Sequence, residues 1–386
     1  MKFRQILIIF LLFRVIDLAI IYIASFFIPY LGFFPYKEIA QQYNLPKFIT
    51  TLANFDGVHY LLIAKNGYTQ YQQAFFPLYP LLIRLLSPLF SSNYLLAGLF
   101  ISNFSFLLGL FYLNKYLLIS KYPISNIKYL FLFLIAFPSS FFFGAVYTEG
   151  LFFLLIISTL YFLKKEQYLL TILCAFFAAL TKLIGLFIFI PILFHFLNSN
   201  KSIHWKMKLT VLLTPLLGIV LYSLYLLKST GDPLFFLNAQ WAFGANRSSN
   251  IILLPQVYYR YFNIFFTARY NFQYFISLIE FIVFNFVFVI LVWNLFKNCL
   301  PANKAGKLEI INFDRLGLNI FSLINLLLPT LTGTFSSIPR YALFSLAIFF
   351  YLAQIRNFSL KLTIAITFTI LHLVLLGFYA QGYFVS

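Results

Sequence analysis

The chain is organised as apolar runs of about the length needed to cross a lipid bilayer, separated by short polar segments. Taking a crossing as roughly 20 apolar residues, we read about eleven: 5–28, 92–116, 126–144, 147–163, 167–183, 185–198, 208–228, 272–296, 316–331, 340–354 and 359–380. These runs are apolar on all sides. A transmembrane barrel would need strict alternation of apolar and polar residues, so the pattern predicts helices. The runs around Leu186 and Ala342 are short and predict tilted or broken helices. The first run carries Arg14 and Asp17 and lacks a small-residue cleavage site, so it reads as the first span rather than a removed signal. No internal repeat and no soluble linker is visible. The expectation is an all-α polytopic membrane protein with one domain, 1–386, and two long non-spanning segments, 29–91 and 229–271.

Composition supports this. The residues are 62% hydrophobic and only 9% charged, against about 25% charged in soluble domains. The net charge of +18 raises nucleic acid as a partner. That reading is excluded because Lys and Arg are spread among the loops rather than gathered on one face. With the N-terminus in the cytoplasm, 17 of the 27 basic residues fall on the cytoplasmic side, the bias expected of multi-pass proteins. Both long segments then lie on the non-cytoplasmic face. Cys174 and Cys299 are far apart in apolar surroundings and support neither a disulfide framework nor a metal site.

The unusual polar residues gather on that same face. In Phe55-Asp56-Gly57-Val58-His59-Tyr60, a short helix over 54–66 would place His59 and Tyr60 on the face of Asp56. Asn54 is the expected cap and Gly67 the expected terminator. Such a helix is too short to span and would lie at the interface. Its carboxylate suits a general base, or simply a favourable charge at a helix N-terminus. Phe75-Phe76-Pro77-Leu78-Tyr79-Pro80 predicts an irregular turn, with Tyr79 in the wall of a groove or as an interface anchor. Glu149 reads as an acceptor for substrate hydroxyls or as an ion pair with Lys182 or Arg340. Lys182 either snorkels or binds a lipid phosphate. Asp232 in Gly231-Asp232-Pro233 is a turn residue, while Gln240, Trp241 and Arg247 could shape a sugar or phosphate site. Asn246-Arg247-Ser248 is a glycosylation sequon. Arg340 opposes the dipole at a helix start, which calls for an anionic partner, either a phosphate or Glu149. Arg14 with Asp17, and Glu280, are expected to be structural helix contacts. His195, His204 and His372 lack ligand spacing, and no nucleotide-binding or zinc motif appears.

The run from Phe55 to Tyr68, followed by Ala74-Phe75-Phe76-Pro77-Leu78-Tyr79-Pro80-Leu81, resembles the PIG-V-like family, the second mannosyltransferases of GPI-anchor assembly and their bacterial relatives. Phe137-Pro138-Ser139 to Tyr147-Thr148-Glu149, Ala179-Leu180-Thr181-Lys182, Gly231-Asp232-Pro233 with Gln240, and Ile338-Pro339-Arg340-Tyr341 extend the resemblance in order along the chain. It implies a GT-C glycosyltransferase fold with interfacial helices in the first outer loop. The implied reaction takes a sugar, mannose in the eukaryotic case, from a polyprenyl-phosphate donor in one inverting displacement. The catalytic Asp of the family matches Asp56. Residues His59, Tyr60, Tyr79, Glu149, Lys182, Gln240, Arg247 and Arg340 are the expected substrate contacts. Family members often carry Arg where this chain has Lys182. The implied partners are membrane lipids, the polyprenyl-phosphate donor and a glycan or glycolipid acceptor. No metal site is expected, and a requirement for a divalent ion is left open. The implied location is the plasma membrane of a bacterium or the endoplasmic reticulum of a eukaryote. A transporter or lipid flippase, and a non-catalytic subunit of a glycosyltransferase complex, are the rival readings.

Overall fold

The computed structural model describes residues 1–31, 37–199, 203–243, 247–248, 250–299 and 313–385. The sequon residue Asn246 and the loop residues Lys201, Lys304 and Lys307 lie outside them, as does the side chain of Cys299. Every regular element among the described residues is helical. Among the described residues, six helices are long and apolar enough to cross a membrane: Phe3–Phe27, Tyr94–Ile119, Trp205–Thr230, Phe272–Lys297, Asp314–Thr332 and Phe358–Ala380. The protein is therefore a multi-pass helical membrane protein.

The other expected runs are also helical but shorter or broken. The run 126–144 ends as an α-helix at Ala136 and continues as a 3₁₀ turn over Ser140–Gly144. Pro138 explains the stop, because proline lacks a donor and pushes Phe137 out of the helical region. The run 185–198 is a 3₁₀ turn, Leu183–Ile188, leading into Phe189–Asn198. The run 340–354 splits into Ile338–Ala342 and Ala347–Gln354.

The bundle has two distinguishable ends. At one end the N-terminal ammonium bonds Asn114 Oδ1 at 2.9 Å and Lys164 Nζ bonds Asp314 Oδ2 at 2.6 Å. At the other end the Leu31 amide donates to the Gln381 carbonyl at 3.0 Å, and Asn54 Nδ2 donates to the Tyr379 carbonyl at 2.9 Å. The first helix and the last, Phe358–Ala380, therefore finish together beside the Asp56 helix.

Inside the bundle, Arg14 pairs with Asp17 at 2.7 Å, as the three-residue spacing suggested. Two further contacts come from elsewhere in the chain. His372 Nε2 lies 2.8 Å from Asp17 Oδ1, and Arg14 Nη2 donates to the Gly144 carbonyl at 3.2 Å. This buried network joins the first helix, the last helix and the 3₁₀ turn that precedes Glu149. Full hydrogen bonding is what makes such charges tolerable at membrane depth.

Candidate active site

The helix that carries Asp56 runs Asp56–Asn66, and Asp56 is its first residue. Its carboxylate therefore sits where the helix dipole favours negative charge. Asn54 does not cap it. The cap position is Phe55, with φ 57 and no side-chain cap bond. Positive φ is uncommon for a bulky residue and persists only where surroundings enforce it. Here Tyr147 Oη donates to the Asn54 carbonyl at 2.8 Å, and Tyr379 Oη reaches it at 3.3 Å. The Asn54 amide is drawn to the Tyr379 carbonyl instead of the helix end. Gly67 does terminate the helix, in a positive-φ conformation that glycine adopts readily.

Four charged side chains from four parts of the chain meet in front of this helix. Arg340 Nη1 donates to Asp56 Oδ2 at 2.6 Å, and Arg340 Nε lies 3.7 Å from Glu149 Oε1. Lys182 Nζ bonds the same Glu149 oxygen at 2.5 Å. The order Asp56, Arg340, Glu149, Lys182 alternates sign and sums to zero. Side-chain exposure falls from 23% at Asp56 to 1% at Glu149 and returns to 14% at Lys182, so the most buried member lies within the row and Asp56 is its more accessible end. Glu149 opens its own helix, Glu149–Lys164, as Asp56 does. Lys182 follows directly after the helix Tyr168–Thr181. Of the alternatives weighed for Glu149 and Arg340, the structure forms the ion pairs of Glu149 with both Lys182 and Arg340, and adds Asp56.

Aromatic faces floor the row. The Arg340 guanidinium lies 5.5 Å from the Phe142 ring centre and 5.4 Å from that of Tyr147. Lys182 Nζ lies 4.9 Å from the Phe344 ring centre. Such faces attract cations while excluding water.

Burial on its own would raise the Asp56 carboxyl, but the neighbouring charge and hydrogen bond of Arg340, with smaller contributions from His59 and Arg247, hold it below the usual carboxylate range. Burial pushes His59 down, against the pull of Asp56. His59 stacks on Phe75 at 5.2 Å between ring centres and meets Phe243 edge-on at 5.1 Å.

Arg247 bridges Gln240 Oε1 at 3.1 Å and Ser337 Oγ at 3.3 Å, so these two expected residues come together beside the Arg340 turn. Tyr60 is buried against Tyr79 and Tyr147. Tyr79 lies behind this layer. Its hydroxyl is bonded to the Gly98 carbonyl at 3.0 Å and to Ser102 Oγ at 2.7 Å, which is a packing role. Asp232 accepts from the Leu234 amide at 2.8 Å and from Asn238 Nδ2 at 2.6 Å, the turn function its sequence suggested. Sequence reasoning assigned no site role to Tyr379, Phe142, Ser337 or Tyr147. Phe142, Tyr147 and Ser337 lay in segments that had drawn attention, and Tyr379 did not. Among the described residues no three His, Cys, Asp or Glu side chains gather as a metal-binding group.

The structure is that of a multi-pass helical membrane protein with a buried carboxylate–cation centre at one end of its bundle. The family described as Mannosyltransferase (PIG-V) matches residues 3–227, more than half of the chain, and the chain belongs to that family. It is accordingly a glycosyltransferase, and a mannosyltransferase by family. The matched region contains Asp56, Glu149 and Lys182, while Gln240, Arg247 and Arg340 lie beyond it. No curated protein and no solved structure matches the chain.

Proposed function

We propose that the protein transfers mannose from a polyprenyl-phosphate donor to a lipid-linked or other glycan acceptor at the non-cytoplasmic face, on a single GT-C-type domain with the N-terminus in the cytoplasm. The observation that carries this reading is the contact between Asp56 and Arg340. It pairs a group able to take a proton with one able to hold a phosphate.

Asp56 takes the proton of the acceptor hydroxyl. The hydroxyl oxygen attacks the anomeric carbon as the bond from that carbon to the phosphate oxygen breaks, inverting the centre. The electron pair leaves with polyprenyl phosphate, and the charge that develops there falls to Arg340, with Lys182 and Arg247 as the next cations. Before the donor arrives, Arg340 is bonded to Asp56. A phosphate oxygen that draws the guanidinium away also withdraws the charge that depresses Asp56, so the carboxylate becomes a stronger base as the donor binds. Glu149 stays paired with Lys182 and keeps that cation beside the phosphate.

The lipid chain of the donor has a place to lie. An apolar cavity of about 380 Å³ is lined by Ile63, Tyr68, Leu81, Leu180 and Tyr222 among others, with Arg84 also at its wall. The Tyr68 and Tyr222 hydroxyls both donate to the Phe75 carbonyl, at 2.7 Å and 3.2 Å. Their ring faces are thereby left as apolar wall.

The test is transfer of labelled mannose from polyprenyl-phosphate-mannose by membranes containing wild type or Asp56→Asn. The variant is expected to lose roughly 10²–10⁴-fold in rate while accumulating to wild-type levels. Equal transfer by both would refute Asp56 as the base.

A further inference from the structure

We infer that Glu280 is a positioning residue for the transfer reaction: it fixes the turn at Ser337 so that Arg340 faces Asp56, and it aligns Arg247 beside them. The inference rests on the reading of Asp56 and Arg340 given above.

Glu280 lies in the apolar helix Phe272–Cys299 and is only 4% exposed. A buried acid in such a helix is costly unless it is bonded, and it calls for a role. Tyr261 Oη donates to Glu280 Oε2 at 2.6 Å, and the Ser337 backbone amide also donates to the carboxylate. Tyr261 Oη in turn accepts the Phe335 amide at 3.1 Å. One acid and one tyrosine therefore take up two amides of the segment that leads into Arg340.

That segment needs holding. Ser337 has φ 68, in the left-handed region, where a non-glycine residue is strained by roughly 1–3 kcal/mol. On the far side of Arg340 the backbone is held as well. Ser139 Oγ donates to the Pro339 carbonyl at 2.6 Å, and Asn325 Nδ2 donates to the Tyr341 carbonyl at 2.6 Å. Arg340 is thus clamped at both flanks, and Glu280 is the charged member of the clamp on the Ser337 side.

Glutamine keeps the size of the side chain and one acceptor oxygen without bringing a charge into the helix. The acceptor geometry of Glu280 sets the turn, and the turn offers Ser337 Oγ to Arg247 at 3.3 Å.

The titratable and charged groups around Asp56 are Arg340 from the turn with Glu149 and Lys182 behind it, His59 from its own helix, Arg247, and the hydroxyls of Tyr60, Tyr147 and Tyr379. Loss of Arg340 from this set removes the cation that most opposes burial. The acid limb of the kcat/KM profile should then move to higher pH.

The experiment compares Glu280→Ala, Glu280→Gln, Arg340→Gln and the Glu280→Ala/Arg340→Gln double variant in the purified full-length protein. Donor is varied from low pH to neutral. Glu280→Ala is expected to lower kcat/KM by about 10²-fold, the scale of a displaced catalytic group, and to shift the acid limb in the direction Arg340→Gln shifts it. The double variant should be no slower than Arg340→Gln alone. Glu280→Gln keeps an acceptor for the turn, so it should leave the limb in place and kcat/KM close to wild type. Should Glu280→Ala fail to accumulate, Tyr261→Phe serves in its place, with the same direction of shift. Multiplying effects of Glu280→Ala and Arg340→Gln, with an unmoved limb in Glu280→Ala, would overturn the inference while leaving Arg340 in its role. An Arg340→Gln variant with wild-type rate and limb would instead overturn the reading of the site itself.

Discussion

Removing the two members of the Glu149–Lys182 pair one at a time should give unequal losses of stability. In Glu149→Gln, Lys182 loses a carboxylate at 2.5 Å while its side chain remains 14% exposed. Breaking a buried pair from one side costs about 3–5 kcal/mol. Phe344 and Tyr341, at 4.9 and 5.6 Å from the ammonium, retain part of the stabilisation, on the order of 1–2 kcal/mol for a desolvated cation over rings. The expected loss is therefore about 1–4 kcal/mol. In Lys182→Met, Glu149 keeps Arg340 at 3.7 Å and the Thr148 hydroxyl at 3.4 Å. Its expected loss is smaller, about 1–3 kcal/mol, the scale of a weakened but not orphaned buried group. The double variant carries no unpaired charge from this pair and should fall short of the sum by about 0.5–3 kcal/mol. The assay is the temperature at which half of the detergent-solubilised monomer survives heating, followed by size exclusion, for wild type and the three variants. Additivity within about 0.5 kcal/mol, or a larger loss in Lys182→Met than in Glu149→Gln, would refute the account of the charge row.

Three further outcomes are expected. Gly150→Ala should sharply reduce the folded yield measured by size exclusion, because a Cβ there would lie 2.3 Å from the Ser102 carbonyl oxygen and 2.8 Å from that of Phe143, and overpacking costs about 1–3 kcal/mol or more. The folded state holds the Asp56 carboxyl below its ordinary 3.8. Its contribution is therefore present above that pH and lost as pH falls through the lower folded value, so the thermal midpoint of Asp56→Asn should depend less on pH below about 4 than that of wild type. Tyr79→Phe removes the phenol bonded to the Gly98 carbonyl and to the Ser102 hydroxyl, which keeps the Tyr147 carbonyl; it should cost about 0.5–1.5 kcal/mol of stability, read as a lower thermal midpoint, with little change in KM for the donor.

Much of the fold is legible in the sequence because a helix in lipid satisfies its own backbone, so apolar run length is a local signal. Helix ends governed by neighbouring residues were legible for the same reason. Gly67 terminates its helix, Gly231-Asp232-Pro233 turns, and Arg14 meets Asp17 across one helix turn. What was not legible depends on distant partners. Asn54 looked like a cap, yet Tyr147 and Tyr379 take its carbonyl and Tyr379 takes its amide, across 325 residues. The run 340–354 looked short enough to be broken, but the bonds to Ser139, Asn325 and Glu280 that fix the turn at its start could not be read from it. Glu280 was expected to be a helix contact, and its partners Tyr261 and Ser337 could not be chosen from spacing. Glu149 was left between two partners, and local pattern could not reveal that both cations reach it.

The charge row also has a history in the making of the chain. Glu149 and Lys182 are separated by 33 residues and Asp56 and Arg340 by 284. At the usual 5–20 residues per second of synthesis, the first separation takes about 2–7 s and the second about 15–60 s. The inner acid gains a cation almost as soon as its helical hairpin is made. The Asp56 carboxylate instead spends most of synthesis without its arginine. A nascent chain halted before residue 340 would therefore carry a complete inner pair and an outer acid without its arginine, so the two halves of the charge row close at different times.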